Sequence, residues 1–353
     1  MLLALNGETP PHQRFQAARR GVSLRGMTVT VVDIEAAQDR IAPWVVRTPL
    51  LEHPALAARL GAAAVFSKPE VLQRGGAFKF RGAMSRISRM TAEELPRGVV
   101  AFSSGNHAQG VALAAAIAGT DATIVMPSDA PRIKIDATRA AGAAIRLYDR
   151  QTEDREAIAR DIAAARGSIV VPAYDDADVI AGQGTIGLEI AQQAAQEGGL
   201  LDVVIGPVGG GGLIAGVSTA LAAHSPATRV FGVEPEGFDS IGRSLAAGER
   251  LGNRPGATSI CDSLMPPTPG VLTFDINRRR LAGALAVDDA QVRAAMRYAF
   301  ETLKLVVEPG GCVGLAALLA GKLDVAGQRV GIVLSGGNVD PAAYAAILSE
   351  GAA

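Results

Sequence analysis

Two cysteines in 353 residues, Cys261 and Cys312, are too few for a disulfide framework. Neither has a CxxC or histidine-rich neighbour, so no metal cluster is expected, and the pair fits a reducing, cytoplasmic compartment. An excess of positive charge is also missing: Lys+Arg number 34 against 35 for Asp+Glu, a net charge of -1. A nucleic-acid partner is therefore not expected, because binding a phosphate polyanion needs a basic surface. No apolar run approaches the roughly 20 residues of a membrane span, and VALAAAIAG at 111–119 is under half that. The opening MLLAL is stopped by Asn6, Glu8 and prolines too early for a signal-peptide core. Residues 1–26 carry Arg14, Arg19, Arg20 and Arg25 against one acid, a faint hint of a transit peptide. They are expected to be a disordered extension, or the result of a start codon set too early, with Met27 the true beginning.

What the chain does have is apolar residues and length. At 48% hydrophobic content it can bury a large core, and 353 residues point to about two domains. From Val31 onward, short β-branched runs alternate with alanine-rich stretches joined by Gly, Pro or Asp. GVVAFSS (98–104), DATIVMP (121–127) and AIRLYD (144–149) read as strands, with helices HAQGVALAAAIAG (107–119) and RIKIDATRAAGA (132–143) between them. A second series follows: strand LDVVIGPV (201–208), helix LIAGVSTALAAH (213–224), then strands RVFGVE (229–234) and RVGIVLSGG (329–337). Such alternation predicts βαβ units and a parallel sheet. Because these strands are continuous apolar runs, helices should cover both faces. No internal repeat or low-complexity linker breaks the pattern.

In folds of this kind ligands gather at the carboxyl ends of strands, and three strand ends here carry unusual residues. GPVGGGGLIAG (206–216) sets Gly209, Gly210, Gly211 and Gly212 between a strand and a helix. Each glycine costs about 0.5–1 kcal/mol relative to alanine, so something should offset four of them. A phosphate cradle does so: backbone N–H groups at a helix N-terminus, approachable without Cβ atoms in the way. The same stretch satisfies GxGxxG/A, and Glu234 ends the next strand where a ribose-binding acid would sit. A nicotinamide-dependent dehydrogenase is therefore a rival, although it gives Lys79 no role.

SSGNHAQG (103–110) places Ser103, Ser104 and Asn106 at a second strand end. One of them would suffice as a helix cap; together they read as a polar pocket wall. His107 reads as a helix-start residue, since no second histidine lies at ligand spacing. VLSGGNVD (333–340) closes the last strand with Ser335 and glycines. RGGAFKFRGA (74–83) surrounds Lys79 with glycines and two phenylalanines. Either this is a surface lysine whose stem lies on apolar neighbours, or it is a desolvated amine of lowered pKa, ready to condense with an aldehyde cofactor.

In this order, KPEVLQRGGAFKFRGA, SSGNHAQGVA, GPVGGGGLIAG, VEPGGCVGLAAL and LSGGN resemble the fold-type-II pyridoxal-phosphate enzymes. Within them the chain resembles the serine/threonine dehydratase (threonine ammonia-lyase) and serine racemase branch, from about Met27 to the C-terminus. The resemblance implies an α/β fold of the tryptophan synthase beta type, with two open, mostly parallel sheets covered by helices. It implies a large cofactor domain from 27–97 and 176–353, a small domain from 98–175, and a homodimer.

Residue by residue, the resemblance makes Lys79 the lysine that carries pyridoxal 5'-phosphate, with Phe78 packing by the cofactor ring. It puts Asn106 on the phenolic oxygen, Gly209 to Gly212 around the phosphate with Leu213 behind them, and Ser335 at the pyridine nitrogen. A neutral hydroxyl there cannot hold a pyridinium proton as a carboxylate would, and that suits β-elimination. Lys79 would take the Cα proton as a general base of lowered pKa. Ser103, Ser104 and Asn106 would hold the substrate carboxylate, and Arg155 matches an arginine that approaches it; its alternative is a solvated charge paired with Glu153 or Asp154. Ser104 also matches the opposite-face base of serine racemase. The family's Mg²⁺ or Ca²⁺ site matches at Glu234, but its second carboxylate is out of register: Ser240 stands there and Asp239 lies one residue short. Hard cations want several oxygen ligands, so that site is weakened.

The expected activity is elimination of water from a small L-hydroxy amino acid, serine or threonine, giving a 2-oxo acid and ammonia. Within the class the alternatives are 3-hydroxyaspartate, which needs an extra cation such as Arg132 or Lys134, and serine racemisation. Outside it stands a non-catalytic amino-acid sensor, which could lose Lys79 or Ser104 without penalty. The residues after LSGGNVD are too few for the amino-acid-sensing domain of biosynthetic threonine dehydratases, so feedback through one is not expected.

Overall fold

Strands that are apolar along their whole length need cover on both faces, and the protein meets that need with two sheets. The computed structural model describes residues 28–130 and 132–350; the extension expected at 1–26 lies outside them. Ten strands form in chain order: β1 (Leu51–Glu52), β2 (Ala64–Pro69), β3 (Val99–Phe102), β4 (Ala122–Pro127) and β5 (Ala144–Tyr148), then β6 (Ile169–Val170), β7 (Val203–Pro207), β8 (Arg229–Pro235), β9 (Gly283–Val287) and β10 (Arg329–Leu334). One sheet has the order β5-β4-β3-β6 and is wholly parallel. The other runs β1-β2-β10-β7-β8-β9, parallel except for β1, which pairs antiparallel with β2. The central strands β4 and β7 are buried at every residue, whereas edge strand β5 alternates exposed and partly buried positions.

The expected helices form at Asn106–Ala118, Arg132–Ala140 and Gly212–His224. Their ends follow local chemistry. Asp154 accepts from Glu156 N and Ala157 N to start helix Arg155–Arg166, and Asp176 accepts from Asp178 N and Val179 N to start helix Ala177–Gln196. Helix Ala177–Gln196 lies so close to helix Gly212–His224 that a Cβ on Gly216 would collide with the Ile180 carbonyl oxygen.

The strands of the smaller sheet fall between 99 and 170, but its core is not confined there. Phe80, Met84 and Ile87 of helix Lys79–Ile87 pack into the same apolar cluster as Val99, Ile124 and Met126. The helix that begins at Lys79 therefore sits where the two sheets meet. Its buried side bears Arg81, which donates to Glu70 Oε2 at 2.7 Å and Oε1 at 2.9 Å, and to Thr185 Oγ1 at 3.1 Å. Glu189 accepts from Arg81 and from Lys68, whose Nζ is 2.6 Å away. This buried group of two cations and two carboxylates ties β2, helix Lys79–Ile87 and helix Ala177–Gln196 together. Among the described residues no helix is long and apolar enough to cross a membrane.

Candidate active site

The carboxyl ends of β3, β7 and β10 open onto one cleft of about 600 Å³ between the sheets. Ser103, Ser104 and Asn106 follow β3; Gly209 to Gly212 and Leu213 follow β7; Ser335 follows β10; all line the cleft together with Phe78, Lys79 and Arg155. Three turns far apart in sequence are thus brought together as strand-end chemistry predicts.

Lys79 begins its helix, and its Nζ donates to the Ala173 carbonyl at 2.7 Å while lying 5.1 Å from the Phe78 ring centre. Phe78 is itself fixed by its N–H, which donates to Ser335 O at 3.0 Å. Loss of water around the ammonium lowers the Lys79 pKa to about 8, against an opposing pull from the Glu308 carboxylate. This is the desolvated lysine, not the surface one. At pH 7 it presents more neutral amine than an ordinary lysine does. His107 is buried beside it, bonded through Nε2 to Val171 O at 2.8 Å, and burial plus the Lys79 charge push its pKa down to about 3. It stays neutral and helical, as expected of a helix-start residue.

The glycine loop is shaped by contacts behind it. Thr273 Oγ1 donates to Gly210 O at 2.6 Å and Asn277 Nδ2 to Gly211 O at 3.2 Å, both from helix Val271–Arg280. With its carbonyls held there, the loop offers the helix N-terminus to the cleft. Gly211 has φ +96°, which side chains with a Cβ rarely adopt, and a Cβ on Gly210 would run into the Tyr174 ring.

Arg155 opens helix Arg155–Arg166 with its guanidinium 5.5 Å from the Phe102 ring centre. Its two expected partners are otherwise engaged: Glu153 pairs with Arg146 at 2.8 Å and Asp154 caps the helix. Lys134 lines the cleft and pairs with Asp262 at 2.6 Å, whereas Arg132 is 88% exposed and pairs with Asp136 on its own helix.

Glu234 and Asp239 lie away from the cleft. Both Glu234 oxygens accept amide protons, from Ile241 at 2.8 Å and Gly242 at 2.9 Å, and burial raises its pKa to about 8. Asp239 is paired with Arg243 at 3.2 Å and Arg254 at 3.3 Å. The one carboxylate is taken by a helix N-terminus and the other by two arginines. The same occupation of Glu234 denies a ribose the acid that the dehydrogenase alternative requires.

Several cleft residues were not singled out from sequence. Glu308, inside the motif VEPGGCVGLAAL, lines the cleft; Asn338, inside LSGGN, is not among the lining residues but donates to Asn106 Oδ1. Glu308 is 5% exposed, accepts from Asn106 Nδ2 at 2.6 Å, and has its pKa raised to about 7, first by burial and then by Asp262. Tyr174, which covers the glycine loop, and the segment from Asp262 to Gly270 also line the cleft. Their sequence has no repeat or motif to mark it.

A family model described as "Pyridoxal-phosphate dependent enzyme" matches residues 41–336. The chain is 44% identical to L-threo-3-hydroxyaspartate ammonia-lyase of Saccharomyces cerevisiae, over 91% of this chain and 96% of that protein. It is 42% identical to L-threonine ammonia-lyase of Thermotoga maritima, over 92% of this chain and 79% of that one. Among solved structures, maize serine racemase superposes with a TM-score of 0.85 at 37% identity, covering 90% of this chain and 95% of that one.

Proposed function

Because the chain belongs to the family of pyridoxal-phosphate dependent enzymes, we propose that it is an ammonia-lyase that eliminates water from a small L-hydroxy amino acid, L-serine or L-threonine, giving a 2-oxo acid and ammonia. The observation that carries this reading is Lys79: an amine of lowered pKa in a cleft that is also lined by a glycine-rich helix N-terminus.

The residues present fit the cofactor. A phosphate is suited to the Gly209–Gly212 turn, where Cβ atoms are missing and Leu213 begins the apolar backing. Phe78 would flank the ring, Asn106 would donate to its phenolic oxygen, and Ser335 would meet the ring nitrogen with a hydroxyl. When bound, pyridoxal phosphate supplies the electron sink that lets a Cα–H bond break. Lys79 would hold it, and its Nζ as a neutral amine would take the Cα proton. Ser103, Ser104 and the backbone N–H of Asn106 would bind the substrate carboxylate, with Arg155, which lines the same cleft, adding positive charge. Ser104 leaves room for racemisation as a side reaction.

A second substrate, 3-hydroxyaspartate, is supported by Lys134, which lines the cleft and could receive a second carboxylate in place of Asp262. Two relatives named L-threo-3-hydroxyaspartate ammonia-lyase, at 44% and 45% identity, point the same way. Oxo-acid release from L-serine, L-threonine and 3-hydroxyaspartate, assayed separately, decides among them. We further propose a cytoplasmic homodimer, a reading for which the two free, buried cysteines support the reducing compartment; sedimentation of the purified protein tests the dimer.

A further inference from the structure

An asparagine amide has two chemically opposite ends, a carbonyl that accepts and an NH₂ with two donors, and nothing in its own shape decides which faces a ligand. At Asn106 both ends are spoken for. Nδ2 donates to Glu308 Oε1 at 2.6 Å, and Oδ1 accepts from Asn338 Nδ2 at 2.9 Å. With Glu308 ionised, a flipped amide would set its oxygen against a carboxylate and its NH₂ against another NH₂, exchanging two hydrogen bonds for two repulsions. Asn338 cannot turn to relieve this, because its Nδ2 also donates to the Gly75 carbonyl at 2.7 Å.

We propose that Glu308 and Asn338 are positioning residues that fix the orientation of Asn106, leaving the second Nδ2 proton for the phenolic oxygen of the cofactor. This rests on the reading given above, in which Asn106 meets that oxygen. Two glycines make room for the arrangement. A Cβ on Gly76 would stand 2.6 Å from Asn338 Oδ1, and one on Gly336 would stand 2.7 Å from Glu308 Oε1 and 3.1 Å from Asn106 Nδ2. The backbone joins the same parts: Glu308 N donates to Gly336 O at 3.0 Å, Gly337 N to Gly76 O at 2.9 Å, and Ala77 bridges Gly336. Gly75 and Gly76 precede Lys79 by only a few residues, so the lysine and the amide share one support. The glycines before Lys79 thus admit a side chain from the far end of the chain, in addition to any flexibility they supply.

A donor on the phenolic oxygen favours its charged form. The ratio of visible to near-ultraviolet absorbance of the bound cofactor, which reports charged against neutral oxygen, is therefore the readout, measured on the cofactor-loaded enzyme. Glu308→Ala and Asn338→Ala should each lower the ratio about three- to tenfold, the loss expected when one charge-assisted hydrogen bond is weakened in part. Glu308→Gln, which keeps an acceptor, should hold the ratio within about twofold of the parent. A support that merely joins loops would instead lower the melting temperature and leave the ratio unchanged. An unchanged ratio in Glu308→Ala overturns the proposal, and if that variant does not fold, Asn338→Ala decides alone. A parent protein that develops no visible band with pyridoxal phosphate would instead sink the cofactor reading, so the two failures are distinguishable.

Discussion

Arg81 and Glu189 meet through two hydrogen bonds, Nη1 to Oε1 at 2.7 Å and Nη2 to Oε2 at 2.9 Å, with neither side chain more than 3% exposed. Removing one partner from a buried ion pair leaves an unpaired charge, which costs about 3–5 kcal/mol. Glu189→Gln should lower stability by about that amount, read as a lower urea midpoint at unchanged slope. The flanking Arg81 and Lys68 charges hold the Glu189 pKa below the usual carboxylate value. A carboxyl with a depressed folded pKa adds stability above its unfolded pKa, about 4.3, and loses it as pH falls through the folded value. Acid unfolding of Glu189→Gln should lack that share of the slope.

Lys79 gives a second pH signature. In the cofactor-free protein its amine is half neutral near pH 8. Attachment of pyridoxal phosphate to the apo-protein should therefore speed up about tenfold per pH unit below 8 and level off above it. A rate still rising about tenfold per unit at pH 9 would mean an ordinary, hydrated lysine.

Gly211 tests the cradle. Its φ of +96° and the Asn277 amide, 2.7 Å from where a Cβ would sit, both oppose alanine. Gly211→Ala should weaken cofactor binding at least about tenfold, with about 1–3 kcal/mol of backbone strain, measured by equilibrium titration of the apo-protein. Equal affinity would show that the phosphate binds elsewhere.

Lys134 separates the two substrate readings. If 3-hydroxyaspartate is a substrate, Lys134→Gln should raise its KM about tenfold, the equivalent of roughly 1.4 kcal/mol, and leave the KM for L-serine within about threefold. A parallel rise for both substrates would assign Lys134 to holding the cleft closed through Asp262.

How much could be read in advance followed the range of the interactions. Strand ends, the four-glycine turn and the surroundings of Lys79 are local demands of the backbone, so Ser104, Gly210, Lys79 and Ser335 could be named from their own neighbours. The Asn106–Glu308 and Asn106–Asn338 bonds join residues 202 and 232 positions apart, and no local pattern encodes such a partner. Glu234 shows the converse. Its acid at a strand end fits two ligand patterns, ribose and cation, but the helix N-terminus that occupies both oxygens becomes visible only once the chain is folded.

The most direct test is oxo-acid release by the purified, cofactor-loaded protein with L-serine, L-threonine and 3-hydroxyaspartate, beside Lys79→Ala as the control. Release from at least one substrate, lost in Lys79→Ala together with the visible cofactor band, is the expected result. Release that persists in Lys79→Ala, or silence with all three substrates, would contradict an ammonia-lyase built on that lysine.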